Sequence, residues 1–372
     1  MFDKVKKNFG FGCMRLKMTD DNEVDYGEFC KMIDMFLAEG FNYFDTAHGY
    51  IEGKSETAIH DCLVSRYPRE SFVLTDKLSE NYFRTAEDIP PLLDSQLAAC
   101  GVEYFDFYLM HSQHTGNYGH YKKCRAYEQA QDFIRQGKIR HLGISFHDSA
   151  AVLDKILTEN PQVEVVQIQF NYLDYDDPAV QSKACYDVCR KHNKPVIVME
   201  PVKGGRLVNL PEEAAAVFKE LGEDGAASYA IRYAASFEGV FMVLSGMGSA
   251  EMMRDNLSHM KNFRPVNEKE LQAIARVKDI YAAQPRIGCT GCRYCTEGCP
   301  KKIPIPDLFD CMNAFTVYRD PNAALRYETL TRNAGKASDC IKCGKCEKIC
   351  PQHLPVRDLL GRTAAQFEKN KS

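Results

Sequence analysis

The sequence predicts an α/β protein: a (β/α)8 TIM barrel followed by a small, mainly helical domain that carries two iron–sulfur clusters. Three observations predict this fold class. Short apolar runs rich in β-formers alternate with amphipathic helical stretches, there are eight such runs, and two blocks of four cysteines follow them. The 372 residues, 45% of them hydrophobic, suffice for one large core and a smaller one. The expected domains are 1–283 for the barrel and 284–372 for the cluster domain.

The barrel prediction rests on strands that are each followed by a helix. A stretch such as 28–40 has apolar residues three and four positions apart, which is the helical period. A doubly wound open sheet is the alternative, but no G-x-G-x-x-G follows a strand to hold a dinucleotide. The eight predicted strands are 9–16, 41–45, 71–78, 104–111, 139–146, 165–171, 195–202 and 240–247.

Charge and hydropathy exclude several classes of partner. The formal net charge is -4, with Lys+Arg 47 against Asp+Glu 51, so no basic excess favours nucleic acid or an anionic membrane surface. No apolar run approaches the roughly 18 residues of a membrane span, and the first residues lack the apolar region of a signal peptide. We expect a cytoplasmic protein whose 16 cysteines are thiols or metal ligands.

Two cysteine blocks share the pattern C-x2-C-x2-C-x3-C-P. They read CTGCRYCTEGCP at 289–300 and CIKCGKCEKICP at 340–351. Two-residue spacers let three thiolates converge on one cubane cluster, which a more distant fourth thiolate completes, as in two-cluster bacterial ferredoxins. The similarity continues beyond the cysteines, which indicates a duplicated unit. The expected ligands of two [4Fe–4S] clusters are Cys289, Cys292, Cys295, Cys299, Cys340, Cys343, Cys346 and Cys350.

Other interpretations of the cysteines are weaker. Structural zinc commonly uses separated C-x2-C pairs and would leave the middle cysteine of each run unused. The stretch between the blocks, 300–339, has helical periodicity, so the domain resembles helical two-cluster ferredoxins, which bind their clusters with crossed cysteine sets. We expect the remaining cysteines to be small hydrophobes of the core without chemistry. They include Cys13, Cys30, Cys62, Cys100, Cys185 and Cys189.

Four polar residues lie at or just after the carboxyl ends of predicted strands: Asp45, Tyr50, Lys77 and His111. These ends share the mouth of a (β/α)8 barrel, where catalytic residues are found. Together they suit reduction of a carbonyl group. Tyr50 would donate the proton, Lys77 would lower the pKa of Tyr50, Asp45 would hold the lysine, and His111 would orient the substrate oxygen.

Several segments of the chain resemble the aldo-keto reductase family. The chain as a whole resembles the branch of that family with a C-terminal ferredoxin-like domain. The similar segments are FDTAHGYIEGKSE, TDKL, YLMH, GKIRHLGISF, QIQFNY, MEPVKGG and SGMGSAEMMRDNL. The resemblance covers residues 9–262 and implies that Asp45, Tyr50, Lys77 and His111 form the catalytic tetrad. It also implies an NAD(P)H cofactor, whose nicotinamide carboxamide Ser145 and Gln167 hold and whose adenine Asn256 approaches.

Several positions depart from the family pattern, among them Phe146, which follows Ser145 where many members have an asparagine. Met199 aligns with a tyrosine that commonly stacks on the nicotinamide. Gly246 and Met252 align with the lysine and arginine that grip the 2′-phosphate of NADPH, so the choice between NADH and NADPH stays open.

The cofactors predicted for the two domains transfer different numbers of electrons in one step. Nicotinamide carries two electrons as hydride, whereas a [4Fe–4S] cluster accepts one at a time. One hypothesis is that FMN or another flavin bound at the mouth separates the pair, with its phosphate on Lys203, Gly204 and Gly205 and on the turn from Gly246 to Ser249. The other is that the clusters exchange electrons with an external ferredoxin. A tight turn at 203–205 is the alternative interpretation of the glycines.

The sequence therefore predicts a redox enzyme that reduces or oxidises a small carbonyl or alcohol substrate and exchanges electrons through two [4Fe–4S] clusters. Two alternatives remain: a redox sensor whose barrel only binds nucleotide, and a flavin-binding electron-transfer subunit. The sequence does not identify the substrate. Four further histidines near the mouth are expected to be solvated loop residues: His48, His114, His120 and His147.

Overall fold

The predicted barrel is present. The computed structural model describes residues 2–177, 180–222, 225–283, 286–316 and 323–368. Eight parallel strands form one closed barrel in chain order, and the first strand pairs with the eighth. The strands are β1 Phe9–Gly12, β2 Tyr43–Asp45, β3 Val73–Leu78, β4 Phe105–Gln113, β5 Ile139–Phe146, β6 Val165–Gln169, β7 Val196–Met199 and β8 Val240–Gly246.

Every strand is followed by at least one helix, as the alternating sequence pattern predicts. The barrel helices are α1 Tyr26–Ala38, α2 Lys54–Ile59, α3 Ile89–Cys100, α4 Thr115–Lys123, α5 Ala126–Arg135, α6 Ala150–Glu159, α7 Ser182–Lys191, α8 Glu212–Lys219, α9 Ala226–Ala235 and α10 Ala250–Met260. The later helices are α11 Glu268–Ala282, α12 Tyr294–Glu297, α13 Ile305–Thr316, α14 Ala323–Thr331, α15 Lys345–Ile349 and α16 Val356–Phe367.

An apolar cluster fills the barrel interior below its mouth. Its buried members come from six of the eight strands and include Tyr43, Phe107 and Ile197. The Phe2 ring packs against this cluster, with its centroid 4.9 Å from that of Phe107. Since these side chains precede the strand ends, the polar residues that follow are left to line the opposite end of the barrel.

The largest differences from the predicted strands lie at the carboxyl ends of β1 and β7. The run 9–16 gives a strand only to Gly12, because Cys13–Arg15 turn into a 3₁₀ helix. The run 195–202 gives a strand only to Met199, because Glu200 has a φ of 59° and leaves the extended conformation. Both changes occur at carboxyl ends, where the chain enters the loops of the mouth.

The chain forms two compact units: Met1–Val202 with Ala227–Asn267, and Lys203–Ala226 with Glu268–Ser372. The first contains all eight strands, and the second contains both cysteine blocks. The division expected from sequence, 1–283 and 284–372, stays a prediction, and residue 284 lies outside the described part of the chain. No helix in the described ranges is long and apolar enough to cross a membrane.

The second unit is mainly helical and internally repeated. Helix α16 begins and ends 51 residues after α13, and α15 begins 51 residues after α12. Backbone positions with a positive φ repeat with the same offset of 51 residues. The pairs are Gly291 with Lys342, Arg293 with Gly344, and Lys302 with His353. The two cysteine blocks therefore share one backbone design. Helices α13 and α14 confirm the predicted helical spacer, of which 317–322 lie outside the described residues.

The prediction for two of the remaining cysteines is wrong. Cys30 in α1 and Cys62, just after α2, form a disulfide with their Cα atoms 4.8 Å apart. They are 32 residues apart in sequence, and only the packing of the two helical segments brings them together. Cys13, Cys100, Cys185 and Cys189 are buried free thiols, as expected.

Candidate active site and cluster sites

A buried ion pair lies at the mouth end of the second and third strands. The Lys77 ammonium donates to Asp45 Oδ1 at 2.6 Å, to the Thr46 carbonyl at 2.7 Å and to the Tyr50 hydroxyl at 3.2 Å. Lys77 is fully buried and Asp45 nearly so. A buried charge is costly unless it is paired and hydrogen-bonded, and these three acceptors use all three donors of the ammonium group.

Tyr50 begins the 3₁₀ turn Tyr50–Gly53, which follows the second strand. Lys77 Nζ lies 4.7 Å from the centre of its ring, so the lysine contacts both the hydroxyl and the ring. Burial raises the pKa of Tyr50 well above its ordinary value, and the negative charge of Asp45 adds to that rise. The prediction that Lys77 sets a lowered pKa for Tyr50 is wrong for the protein without cofactor or substrate. Tyr50 keeps its proton at neutral pH, which is the form a proton donor needs.

His111 lies on the fourth strand, next to Tyr50. The two ring centres are 5.9 Å apart, and His111 Nδ1 is 2.6 Å from the Ser79 hydroxyl. Burial lowers the pKa of His111 well below its ordinary value, and the nearby charge of Lys77 lowers it further. The ring is therefore neutral at pH 7. When the Ser79 hydroxyl donates to Nδ1, the ring proton is on Nε2, where it can donate to a substrate oxygen.

Ser145 and Gln167 pair across the fifth and sixth strands. Ser145 Oγ accepts the Ser112 amide at 2.7 Å, and Gln167 Nε2 donates to Asp45 Oδ2 at 3.2 Å. Gln167 thus binds Oδ2 of Asp45, while Oδ1 of the same carboxylate accepts a hydrogen bond from Lys77. Burial raises the pKa of Asp45, while Lys77 and Gln167 oppose that rise.

The other residues predicted to bind cofactor divide between the two units. Met199 ends β7, and Gly246 ends β8. Ser249 caps α10, and Asn256 in that helix donates to Ser245 Oγ at 3.1 Å. Residues 203–205 belong to the second unit, so the predicted phosphate site combines residues of both units and stays a prediction.

A second buried acidic group lies behind the tetrad. Asp76 is fully buried, and its Oδ1 accepts the Lys77 amide at 2.7 Å. Burial raises the pKa of Asp76 well above its ordinary value, and the negative charge of nearby Glu56 raises it further. Glu56 Oε2 is 2.9 Å from His48 Nδ1, and this contact raises the pKa of His48. His48 therefore has a structural partner, Glu56, and is not a freely solvated loop residue.

The eight predicted cluster ligands surround two cavities of the second unit. The first cavity is lined by Cys289, Cys292, Cys295 and Cys350. The second is lined by Cys299, Cys340, Cys343 and Cys346. Each cavity thus combines three cysteines of one block with the last cysteine of the other, which is the crossed grouping expected of a two-cluster ferredoxin.

The cysteine sets fit a cluster better than a single ion. Within the described ranges, no group of three or more His, Cys, Asp or Glu side chains has the geometry to hold one metal ion. Four cysteines line each cavity, and a cubane takes one thiolate on each of its four iron atoms. The four-cysteine sets therefore suit two cubane clusters.

The segment 203–206 packs against the loop of the first cysteine block, within the second unit. Lys203 Nζ donates to Gln352 Oε1 at 2.9 Å, and Gln352 lines the first cavity. Arg206 Nε donates to the Cys289 carbonyl. A Cβ on Gly204 would lie 2.3 Å from the Thr290 carbonyl oxygen. The glycine at 204 is therefore required by a close approach of two backbones.

We expect Gly204→Ala to destabilise the first cluster site. The new methyl group would meet the Thr290 carbonyl, and alanine at the φ of +64° costs roughly 1–2 kcal/mol before any clash. Thermal denaturation and iron content of anaerobically purified protein measure the effect. Gly205→Ala is the matched control, since its φ is +89° but its nearest atom is 3.9 Å away. Equal losses in both variants would contradict the role of the contact.

Three features of these sites lie beyond the sequence analysis. Ser79 was not predicted, although its position two residues after Lys77 on a strand end is a signal for a mouth residue. Glu56 and Asp76 could not be paired from sequence, because nothing in the pattern shows which helix covers the outer face of β3. Gly204 and Thr290 are 86 residues apart in sequence, so no local pattern predicts their contact. The only sign of a close approach in the sequence is the glycine itself.

Comparisons with known proteins agree with both halves of the chain. The model of the Aldo/keto reductase family matches residues 8–279, and that of the 4Fe-4S dicluster domain matches 288–355. The uncharacterized oxidoreductase YqkF of Bacillus subtilis is 22% identical over 309 residues, 74% of this chain and 94% of the relative. The 4-dihydromethyl-trisporate dehydrogenase of Mucor mucedo is 26% identical over 188 residues, 44% of this chain and 55% of the relative.

Solved structures show the same barrel. The holo form of aldo-keto reductase AKR11C1 from Bacillus halodurans has a TM-score of 0.60 at 21% identity, over 73% of this chain and 92% of that one. An aldo-keto reductase from Klebsiella pneumoniae in complex with NADPH has a TM-score of 0.59 at 17% identity, over 76% and 97%. The closed barrel and the two family matches lead to one conclusion: this chain is an oxidoreductase that belongs to the aldo/keto reductase family, with a 4Fe-4S dicluster domain after its reductase domain.

Proposed function

We propose that the chain transfers hydride between a nicotinamide cofactor and a small carbonyl or alcohol substrate, and exchanges single electrons with an external carrier through two [4Fe–4S] clusters. The observation that carries the first part is the hydrogen-bonded series from Asp45 through Lys77 to Tyr50, with neutral His111 beside it. A protonated phenol and a neutral imidazole at one barrel mouth can both donate to a carbonyl oxygen.

Each residue of the tetrad has a distinct role in this proposal. Tyr50 gives its proton to the substrate oxygen while the carbonyl carbon is reduced, and a phenolate forms beside the Lys77 ammonium. Asp45 holds the Lys77 ammonium group in place, and Gln167 holds the other oxygen of Asp45. His111 orients the substrate oxygen before the proton moves. In the oxidative direction the same groups act in reverse.

The mouth offers polar groups that suit a nicotinamide. Ser145 accepts the Ser112 amide and keeps its own hydroxyl proton to donate, while Gln167 uses only its amide nitrogen on Asp45. These two side chains would hold the carboxamide, and Asn256 would approach the adenine. A bound nicotinamide supplies the hydride. Similar proteins were solved with NADP or NADPH, which supports a nicotinamide cofactor over the flavin of the alternative hypothesis.

The crossed cysteine sets suit two clusters, which supply one-electron transfer when bound. Four thiols surround each cavity, and the left-handed backbone positions beside them recur in both halves. Since hydride carries two electrons and each cluster accepts one, the clusters would serve a one-electron partner such as an external ferredoxin.

Protein purified without oxygen is expected to contain about eight iron and about eight sulfide per chain, from two four-iron sites. The same preparation is expected to oxidise NADH or NADPH in the presence of members of an aldehyde and ketone panel. Metal and sulfide analysis and the absorbance of reduced nicotinamide provide the two measurements. Stoichiometric zinc without sulfide would overturn the cluster part. A loaded protein inactive on the whole panel, with either nucleotide, would favour the redox-sensor alternative.

A further inference from the structure

The two halves of the second unit share a backbone but differ in what surrounds their cavities. At the first cavity, Thr290 is 4% exposed and Cys289 is 8% exposed. The segment 203–206 covers this side through the contacts of Gly204 with Thr290 and of Arg206 with Cys289. The segment 203–206 therefore covers the first cavity on the side of the loop that contains Cys289 and Thr290.

The corresponding loop of the second cavity faces solvent. Ile341 occupies the position of Thr290, 51 residues later, and is 58% exposed. Cys343, the counterpart of Cys292, is exposed, and Ile349 is 39% exposed. Large apolar side chains open to water beside a redox site mark a surface that a partner can cover.

Lysines surround this apolar loop. Six of them are exposed: Lys301, Lys302, Lys336, Lys342, Lys345 and Lys348. In the part of the chain that the structure describes, none of the six ammonium groups forms an ion pair, and Lys301 and Lys345 line the second cavity itself. The first block has Arg293 in its loop instead, and that guanidinium is paired with Asp307 at 2.7 Å.

Two acidic residues near Cys343 are already engaged within this unit. Glu347 binds the Arg357 guanidinium at 2.7 Å, and Asp339 accepts the backbone amide of Lys336 at 2.8 Å. The loop thus has unpaired positive charge on a chain whose formal net charge is -4. A local charge opposite in sign to that of the whole protein directs one kind of partner to one place.

We propose that the lysines and isoleucines around Cys343 are the docking surface for an acidic one-electron carrier protein, which exchanges electrons with the second cluster. This inference rests on the proposed cluster function. In each encounter one electron passes between the carrier's redox centre and the second cluster, so one is oxidised as the other is reduced. The apolar loop supplies the dry contact, and the lysines supply the attraction.

The test uses holoprotein purified without oxygen and an oxidised, acidic bacterial two-cluster ferredoxin as the probe. Binding is measured by surface plasmon resonance over a range of salt concentrations. We expect binding that weakens steadily with salt, and Lys342→Glu/Lys345→Glu to raise Kd by at least about tenfold. Cytochrome c, a basic carrier, is expected not to bind this surface.

Lys31→Glu/Lys123→Glu is the matched control on the barrel. Both lysines are exposed and lie in the other unit, and each double variant changes the formal net charge by four, from -4 to -8. If both double variants weakened binding equally, the net charge of the protein and not this surface would explain the binding, and the proposal would be overturned. No binding of the ferredoxin to wild-type holoprotein, even at low salt, would overturn it as well.

Two further measurements keep the test decisive. If Lys342→Glu/Lys345→Glu loses iron, Lys336→Glu/Lys348→Glu changes the same surface at positions farther from Cys343 and is expected to weaken binding in the same direction. Reduction of a carbonyl by NADPH, measured without any carrier, tests the proposed function separately. An active enzyme that binds no acidic carrier contradicts the docking surface alone, whereas an iron-free protein contradicts the cluster function on which it rests.

Discussion

Replacing Tyr50 by phenylalanine is expected to remove nearly all carbonyl reduction, with a loss of about a hundred- to ten-thousandfold in kcat. The change deletes the hydroxyl that lies 3.2 Å from Lys77 Nζ and leaves the ring, which the ammonium group also contacts, in place. Because the ring stays, the fold and the clusters should be retained. Consumption of reduced nicotinamide with the best substrate of an aldehyde panel measures the effect.

Tyr186→Phe is the control for loss of a tyrosine hydroxyl. Tyr186 lies on α7, and its hydroxyl donates to the Glu238 carbonyl at the surface of the barrel. We expect full activity in this variant and unchanged iron content in both. If Tyr50→Phe kept more than half of the wild-type rate, the tetrad would not supply the proton, and the redox-sensor function would gain support.

Cys350→Ser is expected to damage the cluster of the first cysteine block, although Cys350 belongs to the second block in sequence. Cys350 lines the first cavity together with Cys289, Cys292 and Cys295. Loss of one of four thiolates should remove or convert that cluster and leave the other, so iron content falls from about eight towards about four per chain. Iron and sulfide analysis and electron paramagnetic resonance of the reduced protein report the change.

The crossed grouping also predicts which cysteine variants leave the same residual spectrum. Cys350→Ser and Cys292→Ser should leave the same residual spectrum, because both act on the first cluster, while Cys343→Ser should leave the complementary one. Cys311→Ser is the control, since Cys311 is a fully buried free thiol of the same unit that lines neither cavity. A residual spectrum shared by Cys350→Ser and Cys343→Ser would show that each block binds its own cluster.

The strands and the tetrad positions were predictable because both follow from local pattern and topology. Apolar runs alternating with helices predict the barrel, and a parallel barrel brings every carboxyl strand end to one mouth. Asp45 and Lys77 could therefore be placed side by side without knowledge of any contact. The fourth strand was predicted to end at His111 and instead ends at Gln113, which moves no member of the tetrad.

The electrostatics of the site could not be predicted, because they depend on burial by distant segments. The approach of Lys77 alone would lower the pKa of Tyr50, but burial and the charge of Asp45 outweigh it. The same limit explains the disulfide of Cys30 with Cys62, which two separately patterned helical segments bring together. Glycines at 204 and 205 suit a phosphate site and a close backbone contact equally well in sequence, and the structure shows that Gly204 makes the contact.

The crossed cysteine sets also fix the order in which the protein can be completed as it leaves the ribosome. The last barrel strand ends at Gly246, well before the first cysteine block, so the barrel can close early. The first cavity, however, needs Cys350, and the second needs Cys340, Cys343 and Cys346. At roughly 5–20 residues per second, the 51 residues from the first cysteine of one block to the first cysteine of the other take several seconds to emerge. During that interval the first block has only an incomplete thiol set, so neither four-cysteine set is complete until the second block has emerged.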